Sequence, residues 1–155
     1  MFDVKISIFE KIEIPIVSSF VNRIRFNKSN VRILFIDDET MPIVENLKKA
    51  GWSVEKVKDI KNIDDDAVRR ARIIFVDYKG VGRNISPQYE GVGLIKNIKD
   101  TYKKTKRVIL YSANDNFPKE IVLNPVFQAA DNRLLKNADT IDFLDMINME
   151  IKKLR

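Results

Sequence analysis

Three short apolar runs in this chain each deliver a reactive group to their carboxyl end. Val31-Arg32-Ile33-Leu34-Phe35-Ile36 runs into Asp37-Asp38-Glu39, Arg72-Ile73-Ile74-Phe75-Val76 into Asp77, and Arg107-Val108-Ile109-Leu110-Tyr111 into Ser112. Carboxylates that a fold holds close together repel unless a cation neutralises them. With oxygen ligands only, the fitting cation is Mg2+, which takes one or two carboxylates, a carbonyl and waters. Phosphoryl transfer asks mainly for positioning and charge neutralisation. A carboxylate in such a site can also be the nucleophile, giving an acyl phosphate. The Ser112 hydroxyl and the Lys136 ammonium would bind the remaining phosphate oxygens. Taken singly, each group has a plainer reading. Asp37 and Asp38 could be acids at a helix N-terminus, Asp77 a strand-end cap, Ser112 a turn serine and Lys136 a surface lysine.

The elements decide whether these groups meet. The runs are rich in β-branched residues without strict alternation, the mark of strands buried on both faces of a parallel sheet. The carboxyl ends of such strands share one edge, where ligands bind. A helix is expected over Pro42–Ala50, with Pro42 in its first turn and Gly51 as its stop. Trp52 to Val57 alternates and reads as a peripheral strand. A short helix from about Asp65 to Ala71 follows, then a long loop from Tyr78 to Tyr89 that borders the site as a lid or docking surface. Gly91 to Tyr102 has helical spacing, and Phe117 to Ala130 is irregular around Pro125. Arg133-Leu134-Leu135 is a short strand. A last helix from Thr140 to Leu154 carries an apolar stripe through Ile141, Phe143, Leu144, Ile147, Met149 and Ile151, for the core first and a homodimer interface second. Strands alternating with helices predict a doubly wound α/β sheet. Residues 1–30 stand outside this repeat. Phe2, Val4, Ile6, Ile8, Ile12, Ile14 and Ile16 keep a period of two, whereas Val17, Phe20, Val21 and Ile24 fit a helical face.

The chain has 155 residues, 45% of them apolar, enough for one domain with a real core. It contains neither cysteine nor histidine. That excludes disulfides, thiolate or imidazole metal sites and imidazole bases. A cytoplasmic setting is the expectation, with no apolar stretch long enough for a membrane span and no signal-peptide pattern. The net charge is +6, from 28 basic and 22 acidic residues. The basic clusters Arg69-Arg70-Arg72, Lys103-Lys104-Lys106-Arg107 and Lys152-Lys153-Arg155 read as solvated helix ends, and nucleic-acid binding is not expected from charge alone.

From about Val31 to Arg155 the chain resembles the response-regulator receiver domain. The matching stretches are Ile33-Leu34-Phe35-Ile36-Asp37-Asp38-Glu39, Ile74-Phe75-Val76-Asp77, Glu90-Gly91-Val92-Gly93-Leu94-Ile95, Ile109-Leu110-Tyr111-Ser112-Ala113 and Leu134-Leu135-Lys136. The resemblance implies a flavodoxin-like, five-stranded parallel sheet in the order 2-1-3-4-5 over residues 31–155, with residues 1–30 as an N-terminal extension. It implies Asp77 as phosphate acceptor, Asp38 as direct Mg2+ ligand, Asp37 acting through water and the Lys79 backbone carbonyl completing the set. Ser112 would be the switch hydroxyl and Lys136 the phosphate-binding ammonium. The chain departs from the family at three places. Asn137 replaces the proline after the lysine, Arg133 stands where a switching aromatic is usual, and Lys79 replaces a commonly neutral residue, where its ammonium would pair with Asp77.

The expected function is therefore a stand-alone receiver-like signalling module, phosphorylated on Asp77 by a histidine kinase or phosphotransfer protein and acting through contacts with a downstream protein rather than as an enzyme. The alternative is a pseudo-receiver, a phosphorylation-independent interaction module. An aspartyl phosphohydrolase is disfavoured, because it wants an acid two residues after the nucleophile, where this chain has Lys79.

Overall fold

The two faces of each central strand are both apolar, and the fold follows from that. The computed structural model describes residues 25–155. Five parallel strands form one sheet: β1 (Arg32–Ile36), β2 (Ser53–Val57), β3 (Ile73–Asp77), β4 (Arg107–Ser112) and β5 (Asn132–Leu135), in the order β2-β1-β3-β4-β5. This is the expected 2-1-3-4-5 sheet. All five residues of β3 are buried. Odd and even positions go to opposite layers. Ile33, Phe35, Ile73, Phe75, Ile109 and Tyr111 pack against Leu47, Phe143 and Ile147, which belong to α1 (Pro42–Lys49) and α5 (Thr140–Ile151). Leu34, Ile36, Ile74, Val76, Val108 and Leu110 pack against Val68, Leu94, Ile95 and Ile98, from α2 (Asp66–Arg70) and α3 (Glu90–Tyr102). Each such buried side chain is worth roughly 1.5–3 kcal/mol of transfer free energy.

Across the first layer runs an aromatic row. The Phe35 and Phe75 rings stack at 4.6 Å, and Tyr111 meets them edge-on at 5.8 and 6.2 Å. At the opposite edge of the sheet from the acids, Arg107 ties α5 to β4 through Glu150 at 2.6 Å and reaches Asp131 at 3.2 Å.

Local signals place most helix ends as expected. Pro42 starts α1, and the Asp65 carboxylate caps α2 by accepting from the Ala67 N–H at 3.0 Å. Two expectations need correction. Ile141 and Met149 are exposed, so the terminal stripe is narrower than its spacing suggests, and α5 ends at Ile151. The stretch Phe117–Ala130 is not wholly irregular. It holds the single turn α4 (Lys119–Val122) and a 3-10 turn at Phe127–Ala129 on either side of Pro125. The Tyr78–Tyr89 loop borders the site as expected, with Tyr78, Lys79, Gly80 and Arg83 in the lining of its cavity, and it is anchored at its middle. Val81 is fully buried, and the Gly82 N–H donates to the Asp59 carboxylate at 2.8 Å.

Residues 25–30 of the predicted extension pack on the domain. Phe26 leans on the first layer, and the Lys28 ammonium donates to the Ala50 carbonyl at 2.7 Å. The patterns read over residues 1–24 lie outside the described residues.

α3 begins hard against the end of β3. A Cβ placed on Gly91 would collide with the Asp77 backbone carbonyl oxygen. Gly91→Ala is therefore expected to destabilise the fold by about 1–3 kcal/mol, the usual cost of overpacking. A urea-denaturation midpoint equal to wild type would contradict this contact.

Candidate functional site

The carboxyl ends of β1 and β3 bring Asp37, Asp38 and Asp77 together. One carboxylate oxygen of each lies within 4.8 Å of the others. Asp37 is fully buried, Asp77 nearly so and Asp38 exposed. The β5–α5 connection supplies Lys136, whose ammonium lies 2.9 Å from Asp77 Oδ2 and 3.0 Å from Asp37 Oδ2. Glu39 stands 3.7 Å from the same ammonium. Lys136 thus reaches the acids with Asn137 in the place of proline.

Asp37 accepts from three donors. Its Oδ1 accepts the Glu39 N–H at 2.8 Å, and its Oδ2 accepts the Tyr111 hydroxyl at 2.6 Å as well as Lys136. Burial would raise its pKa, but the hydrogen bonds from Tyr111, Glu39 and Lys136 outweigh this and hold it below the usual carboxylate value. Asp77 goes the other way. Burial pushes its pKa up, aided by the charge of Asp37, and the Lys136 ammonium and the Lys79 N–H only partly offset this. Burial also works against the charge on Lys136, yet its bonds to Asp77 and Asp37 win and raise its pKa.

A cavity of ≈ 670 Å³ opens over this edge, with Asp38, Asp77, Lys79, Ser112, Asn114 and Lys136 in its lining. Ser112 therefore sits beside Asp77, but its hydroxyl donates to the Asn114 carbonyl and to none of the acids. Lys79 lines the same cavity, and its backbone N–H serves Asp77. The expected pairing of its ammonium with Asp77 is not formed. That ammonium lies over the Tyr78 ring, 5.7 Å from the centroid, and Lys136 takes the acid instead. The Arg133 guanidinium covers the Phe127 ring at 4.4 Å.

Two contributors escaped the sequence reading. Gly80, at φ +84, lets the loop pass Asp38, since a Cβ there would lie 2.9 Å from Asp38 Oδ2. Tyr111 ends an apolar run and reads as core, which its ring is; only the register with Asp77 puts its hydroxyl near the acids.

The donor set fits Mg2+. All of its side-chain donors are oxygens, the carboxylates are crowded, and the open side of the cavity leaves room for waters. Among the described residues no helix is long and apolar enough to cross a membrane.

No family sequence model and no curated protein sequence matches the chain. Solved structures match its fold. A response regulator from Thermotoga maritima aligns with a TM-score of 0.59 at 23% identity, covering 79% of this chain and 98% of that one. The BeF3-activated N-terminal receiver domain of RstA from Klebsiella pneumoniae aligns with a TM-score of 0.60 at 16% identity, over 78% of this chain and 98% of its own. A CheY-like response regulator receiver domain protein from Methanospirillum hungatei JF-1 aligns at 0.56 and 18%, over 79% and 94%. The chain has the fold of response-regulator receiver domains.

The raised pKa of Asp77 has a sign that can be checked. A carboxyl with a folded pKa above its unfolded value binds its proton more readily in the folded state. Its ionisation therefore subtracts stability above the folded pKa. Without divalent cations, Asp77→Asn is expected to raise stability at pH 7, on the order of 1 kcal/mol. The gain should fade as pH drops through the Asp77 pKa toward 3.8. Paired urea melts in chelator across that range measure it; a gain independent of pH would contradict the assignment.

Proposed function

We propose that this chain is a receiver-like signalling module that accepts a phosphoryl group on Asp77 from a histidine kinase or phosphotransfer protein in the cytoplasm. The observation that carries the reading is the meeting of Asp37, Asp38 and Asp77 with the Lys136 ammonium at the edge of a receiver-fold sheet. Asp38, Asp77 and the Lys79 backbone carbonyl would hold Mg2+, with Asp37 acting through a water. When bound, the ion supplies charge neutralisation for the transferring phosphoryl oxygens.

The chain's own groups do the rest. The Asp77 oxygen attacks phosphorus in line. The phosphorus–nitrogen bond of a phosphohistidine donor breaks, and the imidazole leaves with the electron pair and takes a proton. Lys136, already within bonding distance of Asp77, holds one phosphoryl oxygen. Ser112 leaves the Asn114 carbonyl and turns its hydroxyl to another. That exchange moves the wall shared with a neighbouring groove of ≈ 580 Å³, lined by Ser112, Phe117, Arg133 and Leu135 among others. A downstream protein reading this groove would sense the shift in population between two arrangements. Slow hydrolysis of the acyl phosphate resets the module and is not its purpose.

A second reading, a phosphorylation-independent pseudo-receiver, is favoured by one observation. Arg133 occupies the position of the usual switching aromatic and is held on Phe127.

The test is intact mass after incubation with Mg2+ and a small phosphodonor. Wild type is expected to gain one phosphoryl group, and Asp77→Asn none. Beryllium fluoride with Mg2+ should raise the melting temperature of wild type but not of Asp77→Asn. A folded wild type that responds to neither reagent supports the pseudo-receiver instead.

A further inference from the structure

We propose that the amino edge of the sheet, opposite the acids, binds single-stranded nucleic acid, with phosphates on a band of cations and a base in the aromatic-lined cavity beside it. The inference goes beyond the signalling reading and does not depend on Asp77.

The sequence scatters its basic clusters along the chain, and the fold gathers them. In a parallel sheet wrapped by helices, strand starts and helix C-termini share one edge. That edge holds Arg32 and Arg72 at the starts of β1 and β3, Lys103 and Lys104 after α3, and Lys152 after α5. Contacts join them into one band. The Arg72 backbone N–H donates to the Arg32 carbonyl at 2.9 Å, so the two arginines stand side by side on neighbouring strands. The Arg72 side chain donates to the Thr105 carbonyl at 3.1 Å, next to Lys103 and Lys104 in the chain. Its guanidinium also lies over the Phe26 ring, 5.5 Å from the centroid. Phe26 in turn lines a cavity of ≈ 400 Å³ together with Lys28, Trp52, Asn148 and Lys152. Lys28, Arg32, Lys103, Lys104 and Lys152 are exposed, and none has a carboxylate partner among the described residues.

Two features go past ordinary surface charge. Helix C-termini favour cations through the macrodipole, which accounts for Lys103 and Lys152. It does not account for Arg32 and Arg72, which stand at strand starts. The band also runs into a cavity walled by two aromatic rings. A duplex keeps its bases stacked and paired and would meet only the cations. A single strand supplies both parts: phosphates for the ammonium and guanidinium groups, and an unstacked base for Phe26 and Trp52. The Asn148 amide in the same wall offers a donor and an acceptor to a base edge.

The test is fluorescence anisotropy of a labelled strand of about 12 nucleotides, and of the same strand as a duplex, titrated with the full chain at several KCl concentrations. Wild type is expected to bind the strand at least about fivefold more tightly than the duplex. Binding should weaken with salt, with a logarithmic slope of about −0.7 per phosphate contacted. It should also quench Trp52, the one tryptophan of the chain. Heparin, a polyanion without bases, should displace the strand and restore that fluorescence. Lys104→Glu with Lys152→Glu is expected to weaken strand binding on the order of tenfold and to flatten the salt slope by about 1.4, two contacts at about 0.7 each. Lys58→Glu with Lys61→Glu makes the same change of net charge beyond the carboxyl end of β2 and should cost less than about threefold. Phe26→Leu keeps apolar bulk but loses the aromatic face, and should weaken the strand about fivefold with the salt slope unchanged. All four reversed lysines are exposed, and melting curves check that each variant folds. No binding of the strand, duplex bound as tightly, equal losses in the two lysine variants, or binding without quenching of Trp52 each overturns the proposal. None of these results touches the phosphoacceptor reading, which the mass measurement on Asp77→Asn decides separately.

Discussion

Three negative charges on adjacent strand ends are the constraint around which this protein is arranged. Asp37, Asp38 and Asp77 are neighbours because β1 and β3 are neighbours in a parallel sheet, and nothing in that sheet neutralises them. The compensation arrives from far along the chain. Lys136, beyond β5, reaches across β4 to sit between Asp37 and Asp77. The acid site thus closes only when the outermost elements on that side are in place. The opposite pKa directions of Asp37 and Asp77 follow from the same geometry. Asp37 has three donors, one of them a rigid phenol; Asp77 has the Lys79 N–H and an ammonium that it shares with a charged neighbour.

Sequence carried the architecture further than it carried the chemistry. Short apolar runs rich in β-branched residues, such as Ile73 to Val76, read as strands buried on both faces, and their order with the intervening helices leaves few topologies open. Asp37, Asp38, Asp77, Ser112 and Lys136 were legible because each stands at the end of such a run. What stayed hidden depends on rotamer and register. Nothing local tells whether the Lys79 ammonium turns to Asp77 or lies over Tyr78, and the structure shows the latter. A tyrosine at the end of a buried run looks like packing, and only the pairing of β3 with β4 gives its hydroxyl a second task. The Tyr78–Tyr89 loop was legible as a border of the site, but not the buried Val81 and the bond to Asp59 that anchor it. Ile141 and Met149 misled through their spacing, since helical periodicity does not say how wide the buried face is.

The site and the core are one object here. The Phe35–Phe75 stack braces Tyr111, and Tyr111 braces Asp37. A change of volume in the layer between the sheet and α1 or α5 is therefore felt at the acids. In many sites loops place the reactive groups and the scaffold only supports them. In this one, a hydroxyl of the packed aromatic row, that of Tyr111, is itself a partner of the acids.

The abutment of Gly91 on the Asp77 carbonyl closes the α3 side of the site. On the α3 flank backbone lies against backbone, and Val81 is buried in the same layer. On the far flank stand a serine hydroxyl, a lysine stem and a helix of a single turn. Asp77 thus faces unyielding backbone on one side and rotatable side chains on the other.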